Sequence, residues 1–253
     1  MTFHCSINWG FRQFSLERGH FDRYPAYKEN YLGPLMTLAI FDLDNTLIAG
    51  DSDYSWGAFL VAQNKVDQVL YKTMNEKFFA DYEAETLDIS AYLAFSLSPL
   101  IGMSKSDLAQ LHNKFMDEII QPMQLPKAAQ LIKKHRQAGD RLLVITATNQ
   151  CIIEPIVMSL GIEEFLATQP EWVNGRITGK VLGTPTFREG KVERLDTWLE
   201  ENNETLSGSC FYSDSINDLP LLLKVDKPIA VDPDEKLRQI AEEKGWDIIS
   251  LRD

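Results

Sequence analysis

From Thr37 onward the chain moves between two hydrophobic patterns. The first is the short continuous apolar run: Leu38-Ala39-Ile40-Phe41, Arg141-Leu142-Leu143-Val144-Ile145, Ser209-Cys210-Phe211-Tyr212, Pro228-Ile229-Ala230-Val231 and Asp247-Ile248-Ile249-Ser250-Leu251. Runs this short, with little polar alternation, predict strands buried on both faces. The second pattern repeats apolar residues every three or four positions. Lys127 to Gln137 carries Ala128, Leu131 and Ile132 on one side, and Ala138-Gly139-Asp140 ends it. Lys191 to Glu200 carries Val192, Leu195 and Leu199, and Pro233-Asp234 starts a stretch carrying Leu237, Ile240 and Ala241. Strands alternating with helices of this length predict an α/β core, a parallel sheet covered on both faces.

Three stretches break the alternation. Residues 166–187 predict a β-hairpin excursion with Val173-Asn174-Gly175-Arg176 as its turn. Between Asp51 and about Gln121 no strand run occurs. Helical spacings dominate there: Trp56, Phe59, Leu60 and Val66; Leu87, Ala91, Leu93 and Phe95; Leu108, Leu111, Phe115 and Ile119. This predicts a small α-helical cap domain, 51–121, inserted after the first strand of a core made of 36–50 and 122–253. Pro122 and Pro126 punctuate its return, and 47–50 and 121–126 are the expected hinges. Residues 1–35 are rich in aromatics but show neither period. They are expected to be a poorly ordered extension, with Met36 as the natural start, or else an aromatic docking arm.

Composition narrows the function. Acidic residues number 37 against 25 basic, a formal charge of −12, which argues against nucleic acid and against anionic lipid as partners. Cys5, Cys151 and Cys210 are far apart and form no CxxC, so neither a disulfide framework nor a zinc site is expected and a cytoplasmic setting fits. No apolar run is long enough to span a membrane, and the N-terminal segment lacks the pattern of a signal peptide. The oligomeric state is left open.

The candidate chemistry lies just after the predicted strands, where open parallel sheets bind ligands. Asp42-Leu43-Asp44-Asn45-Thr46 follows the first strand, Thr146-Ala147-Thr148-Asn149 the second, and Ser213-Asp214-Ser215-Ile216-Asn217-Asp218 the third, while Lys191 opens the helix before the third. Carboxylate pairs at ~4 Å repel by roughly 1–4 kcal/mol, depending on the local dielectric. One lysine is too little compensation for four of them. A hard divalent cation, Mg²⁺, is the natural counter-charge.

These residues carry a resemblance. The DxDxT stretch Asp42–Thr46, Thr146 after a strand, Lys191, and Asp214 followed by Asn217-Asp218 resemble, in order, the four motifs of the haloacid dehalogenase superfamily. The helical stretch after the first motif resembles the phosphoserine-phosphatase-like members, whose core is a Rossmann-like sheet. The resemblance covers residues 37–253. It implies a phosphomonoesterase in which Asp42 is the nucleophile that becomes an aspartyl phosphate and Asp44 is the general acid and then base. It further implies Mg²⁺ on Asp42, the Asp44 carbonyl and Asp214. Thr146 and Lys191 would hold the transferring phosphate, and Asn217 and Asp218 would orient Lys191 and metal-bound water.

The substrate is read from the cap. Family members that act on phosphoserine use a cap-proximal acid for the amine and a cap arginine for the carboxylate. Asp51 matches the first, but the arginine position falls at Ser96, and no arginine occurs between Asp42 and Lys134. A guanidinium is the preferred carboxylate partner, so its absence speaks against an α-amino acid; Lys72 or Lys77 would be poor substitutes. Asp51-Ser52-Asp53-Tyr54-Ser55-Trp56 instead offers two acids and two aromatics, suited to a flat cation. Asp51, Asp53 and Thr148 are the expected substrate-binding residues. The GDSDYSWG and YSDSINDLPLL segments are similar to a bacterial branch of histidinol-phosphate phosphatases, whose substrate has an amine and an imidazole but no carboxylate. Phosphoserine or another small phosphorylated metabolite is the alternative substrate. Two further classes stay open: a phospho-accepting signalling receiver, and a non-catalytic binding module. Cys151, Cys210 and the four histidines are expected to be structural or surface residues.

Overall fold

The computed structural model describes residues 37–252, so the expectations for 1–35 lie outside the described residues. The core is a single seven-stranded sheet with strand order β4-β3-β2-β1-β5-β6-β7. Its strands are β1 (Leu38–Phe41), β2 (Arg141–Asn149), β3 (Phe165–Val173), β4 (Arg176–Leu182), β5 (Cys210–Ser213), β6 (Lys227–Val231) and β7 (Asp247–Ile249). All neighbours pair in parallel except β3 and β4. Alternation along β1 divides the core. Ala39 and Phe41 face one hydrophobic cluster, and Leu38 and Ile40 face the other.

The helices are α1 (Ser52–Ala62), α2 (Gln68–Glu83), α3 (Ile89–Leu97), α4 (Lys105–Phe115), α5 (Gln121–Met123), α6 (Pro126–Ala138), α7 (Gln150–Ser159), α8 (Glu189–Asn202), α9 (Leu219–Leu222) and α10 (Glu235–Lys244). A π-helical turn, Met116–Ile120, continues α4. Local chemistry sets several boundaries. Asp51, Asp67, Asp88 and Asp234 accept main-chain N–H groups at the starts of α1, α2, α3 and α10, and Gly139 and Gly245 close α6 and α10 in the left-handed conformation.

The fold departs from the sequence expectation in three places. β2 runs on to Asn149, so Thr146 and Thr148 lie within the strand rather than after it. The polar Thr146-Ala147-Thr148 segment hid this, because it breaks the apolar run while its main chain stays extended. The predicted hairpin is not separate from the sheet: Phe165 and Leu166 pair with β2 before β3 turns outward to pair with β4. Finally, the helical stretch after β1 divides. Trp56, Phe59 and Leu60 of α1 and Leu108, Leu111 and Phe115 of α4 join the cluster that holds Phe41, Val144 and Ile152. These helices are part of the wall of the core. The pair α2–α3 is different, with only Tyr71, Asn75 and Phe78 buried along the 16 residues of α2. The two connecting segments run side by side, with Ile48 bridging Gln124 and the Ala49 N–H donating to the Met123 carbonyl (2.8 Å).

Candidate active site

β1 lies between β2 and β5, with Phe41 level with both Val144 and Tyr212. The chain leaves β1 toward one side of the sheet and returns on the other. The carboxyl ends of β1, β2 and β5 therefore open on one crevice. Asp42 is the first residue beyond β1, anchored by its N–H to the Tyr212 carbonyl (2.9 Å). Its Oδ1 accepts from the Lys191 ammonium at 2.7 Å. Lys191 is 3% exposed and also grips Asp218, at 2.7 Å to Oδ1 and 2.8 Å to Oδ2. Ser213 Oγ donates to the same carboxylate at 2.7 Å. Burial opposes the charge on Lys191, but Asp218 and Asp42 outweigh it and raise its pKa. Burial pushes Asp42 up to about 7; Lys191 pulls against this, while Asp218 and Asp44 add repulsion.

Asp44 faces the same crevice. Its Oδ1 accepts from the Ser52 N–H (2.6 Å), and its Oδ2 from Thr148 Oγ1 (2.9 Å) and, at the limit of contact, Thr146 Oγ1 (3.5 Å). Burial, then the neighbouring Asp51, raise it to about 6. Asp214 accepts from Thr46 Oγ1 at 3.2 Å, and burial followed by repulsion from Asp42 and Asp218 holds its pKa well above the usual carboxylate range. Asp42, buried, and Asp214, half-buried, are thus mutually repelling carboxylates that Lys191 only partly offsets. Both offer oxygen donors, the type that suits Mg²⁺. Among the described residues no three His, Cys, Asp or Glu side chains cluster as a metal set. An ion here would take its remaining ligands from main chain, water and substrate.

Helices α2 and α3 close this edge into a cavity of about 90 Å³, room for a small molecule. Its far wall carries Asp51, Asp53, Tyr54, Phe78, Phe79 and Tyr92, and Lys191 is the one cationic side chain among its described lining residues. Asp53 is buried, accepts from Ser96 Oγ (3.1 Å) and from the Tyr92 hydroxyl, and is raised by burial to about 6. Asp51 commits Oδ1 to the Tyr54 N–H (2.9 Å) as the cap of α1 and is likewise raised to about 6 by burial. Ser96 also accepts from Asn149 Nδ2 at 3.3 Å.

Several expectations change here. Trp56 is 1% exposed among Phe59, His112 and Phe115 and does not reach the cavity, because its face of α1 is the one turned to the core. Lys72 and Lys77 lie on the outer side of α2, where they pair with Glu76 and Asp81. Asn217 makes no hydrogen bond to Lys191; its Oδ1 accepts from Arg188 Nε at 2.9 Å. Thr148 turns its hydroxyl to Asp44. His135 bonds Asp140 (2.7 Å) and the Tyr212 hydroxyl (2.8 Å) at the opposite, amino edge of the sheet. Cys151 and Cys210 are buried, with thiols pushed up by burial to about 12 and about 11. Sequence reasoning missed Tyr82, Tyr92, Phe187 and Arg188. The tyrosines carry the same helical spacing as core aromatics, so periodicity alone could not single them out.

The chain matches the model of the haloacid dehalogenase-like hydrolase family over residues 39–223. It belongs to that family, and within it to the phosphatases. It is 46% identical over 222 residues to a histidinol-phosphatase of Neisseria meningitidis serogroup C, covering 86% of this chain and all of that one. It is 31% identical to the phosphoserine phosphatase SerB1 of Mycobacterium tuberculosis, covering 86% of this chain and 72% of that one. Among solved structures, a Bordetella pertussis protein of unknown function is 40% identical, with TM-score 0.81 over 85% of this chain and 99% of that one. A substrate-bound phosphoserine phosphatase shares the fold at 18% identity, with TM-score 0.62 over 86% and 93%. No described helix is long and apolar enough to cross a membrane.

Proposed function

We propose that the chain is an Mg²⁺-dependent histidinol-phosphate phosphatase that works through an aspartyl phosphate on Asp42. The observation that carries the substrate is the division of the cavity. One end holds Lys191, and the wall built by residues 51–54, α2 and α3 is anionic and aromatic, with Asp53 bonded to Ser96 where a carboxylate-binding arginine is expected. That wall suits a cationic amine and a flat imidazole, and it repels the carboxylate of phosphoserine. The 46% identical relative named histidinol-phosphatase supports the same reading.

In this mechanism an Asp42 oxygen attacks phosphorus as the bond from phosphorus to the leaving alkoxide breaks, and Asp44 gives that alkoxide its proton. Water then attacks the phosphoaspartate, Asp44 takes the proton, and inorganic phosphate leaves with Asp42 restored. Ser52 and Thr148 fix the orientation of Asp44, whose pKa burial and Asp51 raise to about 6. Burial raises Asp42 further, to about 7, so the acid–nucleophile division needs the cation, which would favour the ionised form of Asp42 when bound. Lys191 neutralises Asp42 and the equatorial oxygens of the transferring group, and Thr146 holds one of them. Asp218 fixes the lysine. Asp42, Asp214 and the Asp44 carbonyl would hold Mg²⁺, which supplies positive charge against the phosphoryl oxygens when bound. Within the helical segment 51–121, residues 51–54 with α2 and α3 act as the cap wall that chooses the substrate.

Steady-state kinetics on histidinol phosphate, phosphoserine and an aryl phosphate, each with Mg²⁺ and with excess EDTA, test this. The expected order of kcat/KM puts histidinol phosphate first, with activity lost in EDTA. A kcat/KM for phosphoserine equal to or above that for histidinol phosphate overturns the substrate, and full activity in EDTA overturns the metal.

A further inference from the structure

Most of α2 touches little of the core, yet one turn at its carboxyl end is held by four core side chains. Tyr82 Oη donates to Ser215 Oγ (3.1 Å), Asn217 Nδ2 approaches the Tyr82 carbonyl (3.5 Å), and Lys236 of α10 pairs with the Glu85 carboxylate. The fourth contact is the most telling. Arg188 Nη2 donates to the Glu85 carbonyl at 2.9 Å while its Nε donates to Asn217 Oδ1, also at 2.9 Å. One rigid guanidinium therefore bridges a main-chain oxygen of the cap and the residue next to Asp218, the partner of Lys191.

The backbone of Arg188 adds an independent observation. It lies at φ 51°, ψ −120°, a region that a residue with a bulky side chain rarely enters, directly before the first turn of the helix that carries Lys191. Strain of this kind persists only where the surroundings over-determine it. Here they do. The Lys191 N–H bonds the Arg188 carbonyl (3.0 Å), the Gly190 N–H bonds the Phe187 carbonyl (2.9 Å), and the guanidinium is fixed at both ends while packing 5.1 Å from the Phe187 ring. Without the Glu85 carbonyl one of those restraints would be gone.

We propose that Arg188 is a positioning residue that couples seating of the cap to the order of the Asn217–Asp218–Lys191 row. Its guanidinium holds the end of α2 down over the cavity, and by the same contact it holds Asn217 in place. The proposal rests on the phosphatase reading of the site but not on the identity of the substrate.

The test compares the wild type with Arg188→Ala, Arg188→Lys, Tyr82→Phe and Lys236→Ala. Amide hydrogen exchange of residues 80–89 is measured with Mg²⁺ and orthovanadate, a phosphate mimic, and kcat and KM are measured on the small phosphomonoester the wild type turns over best. Losing a charged hydrogen-bond donor corresponds to about a 10-fold change or more. Arg188→Ala is expected to speed exchange in 80–89 and to lower kcat by about that factor, with KM moving less than the kcat. Arg188→Lys restores part of both, since an ammonium reaches one acceptor but does not bridge two. Tyr82→Phe combined with Arg188→Ala gives less than the product of the single effects, because both act on one closing step. Lys236→Ala, an exposed pair, shifts either readout less than about twofold. If Arg188→Ala leaves exchange in 80–89 unchanged, or raises KM alone, the coupling is wrong. Should Arg188→Ala not fold, Arg188→Lys and the Tyr82 variant decide by the same readouts. A failed substrate assignment would appear in the wild-type kinetics, while the exchange arm would still report on the latch.

Discussion

The two walls of the cavity are built by opposite means. On the core wall the polar side chains sit on or just beyond buried strands or in the first turn of α8, and Asp42, Asp44, Asp214 and Asp218 are tied to their neighbours by hydrogen bonds of 2.6–3.2 Å. On the opposite wall aromatic faces come from α2 and α3, and α2 buries little, with Val69, Leu70 and Phe79 left exposed. Phosphoryl transfer needs charges that do not move when the reaction does, and the sheet provides them. In the proposed function, substrate choice needs a surface that can change without disturbing those charges, and the sparsely buried α2 suits that.

This contrast can be broken from either side. The largest expected effect is at the core wall. Asp42→Asn keeps the fold, with a melting temperature close to wild type, and lowers kcat by roughly 10³-fold or more, because the nucleophile is gone. Near-normal kcat would remove Asp42 from that role. Next is Lys191→Met, which leaves Asp42 and Asp218 buried without their cation. Kinetics should show about a 10²-fold loss of kcat/KM, and denaturant unfolding a destabilisation of about 3–5 kcal/mol, the cost of breaking a buried pair. Gly190→Ala probes the mounting of that lysine. A Cβ at this position would lie 2.0 Å from the Pro185 carbonyl oxygen, so the turn before α8 has to shift. A loss of about 1–3 kcal/mol in stability is expected, with a fall in kcat. The smallest effect is expected on the cap-facing wall. Asp53→Asn should lower kcat/KM for histidinol phosphate by about 10-fold and for an aryl phosphate by less, since only the first carries a cation for Asp53 to meet. Equal losses on both substrates would make Asp53 a structural residue of the Ser96–Tyr92 cluster.

Much of the core wall was legible in the sequence. The strands stand out as short apolar runs, and the residues after β1 and β5 cannot be anything but strand-end groups once those strands are buried. Lys191 was legible by its place at the start of an amphipathic helix. The cap-facing wall was not. Trp56 and Tyr92 are both aromatics at helical spacing, yet one packs into the core and the other faces Asp53. A helix has one periodicity whichever partner it packs against, and so α1 and α4, which line the core, read the same as α2 and α3, which roof the cavity. Arg188 was hidden for a different reason: its two acceptors, Glu85 and Asn217, are 103 and 29 residues away.

The sequence by itself determined the class of fold, the order of its strands and helices along the chain, and the set of acids, hydroxyls and lysine that the core brings to its carboxyl edge. These follow from local rules, because alternation, spacing and capping act between near neighbours. Only the tertiary structure decided which helices belong to the core and which close the cavity, that β3 joins the sheet, that Ser96 bonds Asp53, and that Arg188 bridges cap and core. Each of those depends on contacts between segments far apart in the chain, and no local pattern carries that information.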